Sequence, residues 1–253
     1  MLERKKSVVP IIALVSLLGC IQVEAQTYPF KFGDKVVQVP APLGLVMGRG
    51  LNPKFDQFLE HSIGSNKLLT YFTDQNGRSL LLAQSFPSSD SVMCSAQSYP
   101  KIENVMVSER EFDDFRSKFR VKLMSGILSP EAFKDLQNHV NKATKEMAGA
   151  TAKLELGKPV NLGLFEDLPN SLVFGTIETV AVASQNGSAR QTITTCTIGS
   201  INRVSDRILF QYCTVPYRSP EDINYALSIF RPWTPADPSR YCQKLCIGDG
   251  DPC

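Results

Sequence analysis

The stretch LVFGTIETVAVASQNGSARQTITTCTIGSINRVSDRILFQYCTV, residues 172–215, decides the fold class. Three runs rich in Val, Ile, Thr and Phe lie within it: Leu172–Ala183, Ala189–Ser200 and Arg207–Val215. β-Branched and aromatic side chains at alternating positions suit a pleated, half-buried surface. Asn186-Gly187 separates the first two runs, and Asn-Gly between apolar runs is a strong hairpin signal. The stretch reads as a three-stranded antiparallel meander, with its second turn near Val204-Ser205.

Downstream, Ser219-Pro220-Glu221-Asp222 caps a helix in which Ile223, Ala226, Leu227 and Phe230 follow i, i+3, i+4, i+7 spacing. Arg231-Pro232 ends it. Upstream the chain is helical. Ser108 and Glu111 form a capping-box pattern ahead of an apolar stripe of Phe112, Phe115, Phe119 and Leu123. Ser129-Pro130-Glu131 opens a second helix, with Phe133, Leu136, Val140, Ala143 and Met147 on one face. Nearer the start, Lys35–Val39 reads as a strand ending in a proline-rich turn, and Asn52-Pro53 opens a helix over Phe55, Phe58, Leu59 and Ile63. Leu68–Thr73 and Leu80–Phe86, joined across Asp74-Gln75-Asn76-Gly77, read as a hairpin.

Antiparallel strands with helices grouped between them indicate the α+β class: a largely antiparallel sheet with helices packed on it. The order of elements over residues 34–233, from the Pro-rich turn to the final helix ending at Trp233, resembles the PsbP-like α/β/α sandwich. That resemblance implies a non-catalytic protein that binds or stabilises other proteins in an exported compartment. The helical insert at 101–150 and the cysteine-bearing tail depart from its simplest version.

Residues 1–25 read as an export signal. Arg4, Lys5 and Lys6 precede the apolar run Ile11–Leu18, which is shorter than the roughly 20 residues a membrane span requires. Two processing sites compete. Val23-Glu24-Ala25 before Gln26 suits cleavage between Ala25 and Gln26, whereas Leu17-Leu18-Gly19-Cys20 resembles a bacterial lipobox that would lipidate Cys20. Residues 26–233 then form a single α+β domain, and 234–253 a cysteine-rich extension.

Six cysteines follow Cys20: Cys94, Cys196, Cys213, Cys242, Cys246 and Cys253. An even number behind an export signal reads as disulfides. A turn near Val204-Ser205 sets Cys196 opposite Cys213, within bridging reach, which would leave Cys94 with the three tail cysteines; the alternative is that Cys196 and Cys213 are buried free thiols. The spacing Cys242-x3-Cys246-x6-Cys253 lacks the paired units or histidines of structural zinc.

Of 27 basic and 25 acidic residues, three and two fall in the signal, leaving a net charge of +1. No clustered basic face for nucleic acid and no polybasic membrane stretch stands out. Membrane attachment would come through a lipid at Cys20.

Catalysis by a histidine dyad must use His61 or His139, the two histidines of the chain; both read as helix-surface residues. Asp113-Asp114 and Glu166-Asp167 are adjacent carboxylates. The first pair lies on a helix, where neighbours point about 100° apart and do not easily share a substrate. The second precedes the turn Leu168-Pro169-Asn170, where glycosidase-type use would require a set separation of the two carboxylates. Gly44, Gly48 and Gly50 lack the spacing of a phosphate loop and read as a turn. No cofactor or metal site is expected. The chain reads as an exported, periplasmic or secreted, non-catalytic binding or accessory protein of the bacterial envelope, its partner another envelope or extracellular protein. The alternative is a secreted hydrolase whose site is assembled from distant residues.

Overall fold

Cysteine pairing and strand register are set by a two-residue turn. In a computed structural model, which describes residues 27–125, 130–148, 152–184 and 190–233, Ser205 and Asp206 both take positive φ, 48° and 60°. That is the signature of the tight hairpin turn whose twist matches the flanking strands. It joins β9 (Arg190–Val204) to β10 (Arg207–Pro216), and pairs Val204 with Arg207. The turn sits one residue later than the sequence suggested, so every cross-strand partner moves by two. Cys196 faces Val215, and Cys213 faces Ile198.

On its other side β10 pairs with β5 (Met93–Ser98), and there Cys213 lies directly opposite Cys94. The expected Cys196–Cys213 bridge is therefore replaced by Cys94–Cys213, with Cα atoms 4.0 Å apart. Cys196 is a buried free thiol. Cys94 is thus not a partner for the tail, and Cys242, Cys246 and Cys253 lie outside the described residues, as do Cys20, Ala25 and Gln26.

The remaining elements complete an α+β fold. β1 (Thr27–Phe32) and β2 (Lys35–Pro40) form a two-stranded antiparallel sheet. The main sheet runs β3 (Val46–Met47), β4 (Lys67–Thr73), β5, β10, β9, β8 (Ser171–Ser184), β6 (Ala152–Leu156), with β7 (Val160–Leu168) on the other half of the β8 edge. Every described pairing in it is antiparallel. The α-helices among the described residues are α1 (Pro53–Ser62), α2 (Gln75–Leu82), α3 (Glu109–Ser125), α4 (Pro130–Ala148) and α5 (Glu221–Phe230).

α2 corrects the second expected hairpin. Asp74 caps it, its side chain accepting from Gly77 N at 2.7 Å and from Val92 N at 2.9 Å. A Cβ on Gly77 would come within 2.0 Å of Thr73 Oγ1, so glycine serves a close helix–strand approach and not a hairpin turn. Residues 80–86 consequently belong to α2 and the loop after it, and the strand paired with β4 is β5. The expected caps of α1 and α3 are present. Asn52 Oδ1 accepts from Lys54 N and Phe55 N, and Ser108 and Glu111 exchange hydrogen bonds at the start of α3.

Alternation along β10 sends its side chains into two cores. Leu209, Cys213 and Val215 join Ile198, Val173 and the α5 residues Ala226, Leu227 and Phe230, with Phe32, Val37 and Val39 of the small sheet closing that side. Ile208, Phe210 and Tyr212 point the other way, toward Phe112 and Leu123 of α3. Beside them Phe55 and Leu59 of α1 and Leu81 of α2 cover Leu68 and Tyr71 of β4. The main sheet thus lies between two covering layers.

Trp233 pins the first layer. It is 1% exposed, donates Nε1–H to Pro40 O at 2.7 Å, and meets Phe72 and Phe230 edge-on. No described helix is long and apolar enough to cross a membrane.

Candidate binding surface

α3 carries a wider aromatic stripe than the sheet can cover. Phe112 is fully buried, while Phe115 and Phe119 lie only partly buried at the edge of the same core. Their rings stack in sequence, at 6.5 Å between Phe112 and Phe115 and 6.3 Å between Phe115 and Phe119, and Phe119 ends against Phe174 at 5.3 Å.

The segment entering α3 widens this apolar face. Val107 N donates to Asp206 O at 2.9 Å, and Arg203 Nε donates to Val107 O at 2.7 Å, tying the segment to the β9–β10 turn. Held there, Val105 and Met106 remain 48% and 65% exposed. A groove of about 370 Å³ runs between Ile102, Met106, Phe115 and Phe210. An adjoining groove of about 470 Å³ lies over Phe115, Phe119 and Val121, with Lys118 and Lys122 on its rim. Both share Phe115, so they form one apolar strip.

The neighbouring polar groups are engaged with one another. Arg116 pairs with Asp113 and, at 2.9 Å, with Asp167, which also receives Arg120. Glu166 turns instead to Arg231 at 2.7 Å. The adjacent carboxylates of the sequence thus reach different arginines. A polar cleft bordered by Glu109, Arg110, Asp113 and Asn170 lies beside this network.

Neither histidine lines a described groove. His61 Nδ1 meets Glu146 Oε2 at 2.6 Å across the α1–α4 contact, and His139 Nδ1 meets Asp135 O of its own helix at 2.7 Å. The Gly48–Gly50 loop spends its donors internally: Gly48 N bonds Tyr71 O, and Gly50 N bonds Asp56 Oδ2. Burial, then the Asp56 carboxylate that its hydroxyl donates to, push Tyr71 far above the usual phenol range. Among the described residues no group of three His, Cys, Asp or Glu is arranged to hold a metal.

Sequence reasoning missed the exposed pair Val105-Met106, although the three consecutive apolar residues Val105–Val107 just before a capping box are a visible signal. It also missed Glu178, a lone carboxylate in an apolar strand.

The fold and this face define an α+β protein with an aromatic-lined, partly exposed apolar strip along α3. No family model and no curated protein matches the chain. Among solved structures, similarity is found to the Ran-binding protein Mog1p of Saccharomyces cerevisiae, at 12% identity and a TM-score of 0.26, covering 87% of this chain and 91% of that one. A likeness of that size says nothing about what this chain binds.

Proposed function

We propose that this chain is an exported, disulfide-stabilised, non-catalytic binding or accessory protein of a bacterial cell envelope, gripping its partner along the outer face of α3. The observation that carries the reading is the apolar strip running from Val105 and Met106 through Phe115 to Val121, which is itself 69% exposed. Contiguous exposed apolar surface rimmed by polar groups marks an interaction site. The partner is another envelope or extracellular protein. It presents a segment with two or three apolar side chains and an acidic flank, which complements Lys118 on the rim. The signal over residues 1–25 supports export, starting the mature chain at Gln26 or, lipid-anchored, at Cys20. A PsbP-like architecture is part of the same proposal.

A photo-crosslinking residue at Val105, on the same exposed strip, tests it in growing cells. One defined envelope protein with such an acidic, apolar segment is expected, with capture abolished by Met106→Asp, weakened by Lys118→Glu and unchanged by Val36→Asp on the opposite layer. Diffuse crosslinking, a crosslink to a second copy of this chain, or capture indifferent to Met106→Asp overturns it.

A further inference from the structure

A separate cavity lies under α4, away from the α3 face. Phe133, Leu136 and Val140 of α4 form its roof, and Thr176 and Glu178 of β8 its floor. Leu156 and Pro159, on either side of Gly157, close one flank, and the enclosed volume is about 160 Å³. The roof residues are half-buried, so the space communicates with solvent.

The walls are held in place by specific bonds. Gln137 of α4 lays its side-chain amide along the outer edge of β6, donating to Leu154 O and accepting from Leu156 N, each at 2.7 Å. A side-chain amide thereby takes the place of a neighbouring strand and fixes the helix over the sheet. On the flank, Gly157 N donates to Thr179 O at 2.6 Å. A Cβ at Gly157 would sit 3.1 Å from that oxygen, so glycine permits the approach.

The chemistry inside is lopsided. Glu178 Oε1 accepts from Thr176 Oγ1 at 3.0 Å, and among the described residues none donates to Oε2. Among the described residues no lysine, arginine or histidine lines the cavity. Loss of solvent raises the Glu178 carboxyl above the usual range, against the opposing effect of the Thr176 bond. A carboxylate left without a cation in an apolar space is costly, and a ligand carrying its own cation relieves that cost.

We propose that this cavity binds a small amphiphilic amine, its ammonium on Glu178 and its hydrocarbon body against Phe133, Leu136 and Val140. The volume matches roughly five water molecules, which sets the ligand at about six to eight non-hydrogen atoms. It is too small for drug-sized compounds, whose pockets start near ~300 Å³.

The probes are isopentylamine and its isosteric alcohol, 3-methylbutan-1-ol, titrated calorimetrically into the disulfide-bonded protein. Saturable amine binding is expected, tighter than alcohol binding by roughly tenfold or more, as for hydrogen bonds to charged groups. Glu178→Gln should abolish that preference, and Val140→Phe, which fills the cavity, should remove binding of both. Undetectable amine binding at millimolar concentration, equal binding of amine and alcohol, or an unchanged preference in Glu178→Gln overturns the proposal. The amine–alcohol comparison uses the native chain, so it decides the matter even where a variant fails to fold.

Discussion

Replacing Cys94 and Cys213 together by alanine removes a bridge that ties β5 to β10 across 119 residues of sequence. Between those residues run α3, α4 and four further strands, so the reduced unfolded chain gains the freedom of a long loop. In the chain-entropy description, closing a loop of that length is worth about 5 kcal/mol, and native bridges measured by removal typically contribute roughly 2–5 kcal/mol. Both cysteines are fully buried in the core that holds Ile198, Leu209 and Trp233, so truncation to alanine also leaves unfilled space there. Set against a total stability of about 5–15 kcal/mol, the double variant should lose a third of its stability or more. Urea unfolding followed by fluorescence of Trp233, the single tryptophan, measures this, with the variant's midpoint falling well below that of the parent. A loss under about 1 kcal/mol, well short of the expected range, would refute the reasoning. So would peptide mapping that finds Cys213 joined to Cys196.

Three further outcomes follow from particular side chains. Burial, with the nearby Asp222 and Glu178 charges, pushes the Cys196 thiol up to about 11, so iodoacetamide at pH 8 should leave it unmodified in the native protein and alkylate it in urea; rapid native labelling would contradict its placement. Glu178 has a folded-state pKa above its unfolded one, so the native state holds a proton that the unfolded state has released between the two values. Stability should therefore fall as pH rises out of the ordinary glutamate range and level off above the folded value, while Glu178→Gln lacks that fall; parallel melting-temperature profiles would count against it. Asp74→Ala removes the acceptor for both Gly77 N and Val92 N and should cost about 1–2 kcal/mol in chemical denaturation, whereas a neutral result would mean the helix needs no cap.

Much of the layer structure was legible because it rests on local periodicity. The stripe Phe112, Phe115, Phe119, Leu123 and its capping box announced α3, and the α5 spacing announced the helix beside Trp233. β5 was not legible. Its sequence, MCSAQS, is polar and small, and its core position comes from lying between β4 and β10 and not from any hydrophobic run. Lys35–Val39 announced β2, but its partner β1 and the edge strands β6 and β7 were missed because they lack the branched-residue density of the meander. The candidate sites were hidden for a related reason. Val105, Met106 and Glu178 are ordinary residues, singled out by what surrounds them.

The sequence by itself determined the α+β class, the meander and the amphipathic faces, since each depends on residues within a few positions of one another. Tertiary structure decided which cysteine pairs with Cys213, what Asn76-Gly77 becomes, and what surrounds Glu178. Those outcomes depend on register and on long-range neighbours: moving one turn by a single residue shifts every partner along β9 and β10 by two, and Asp74 caps a helix while holding Val92, eighteen positions away.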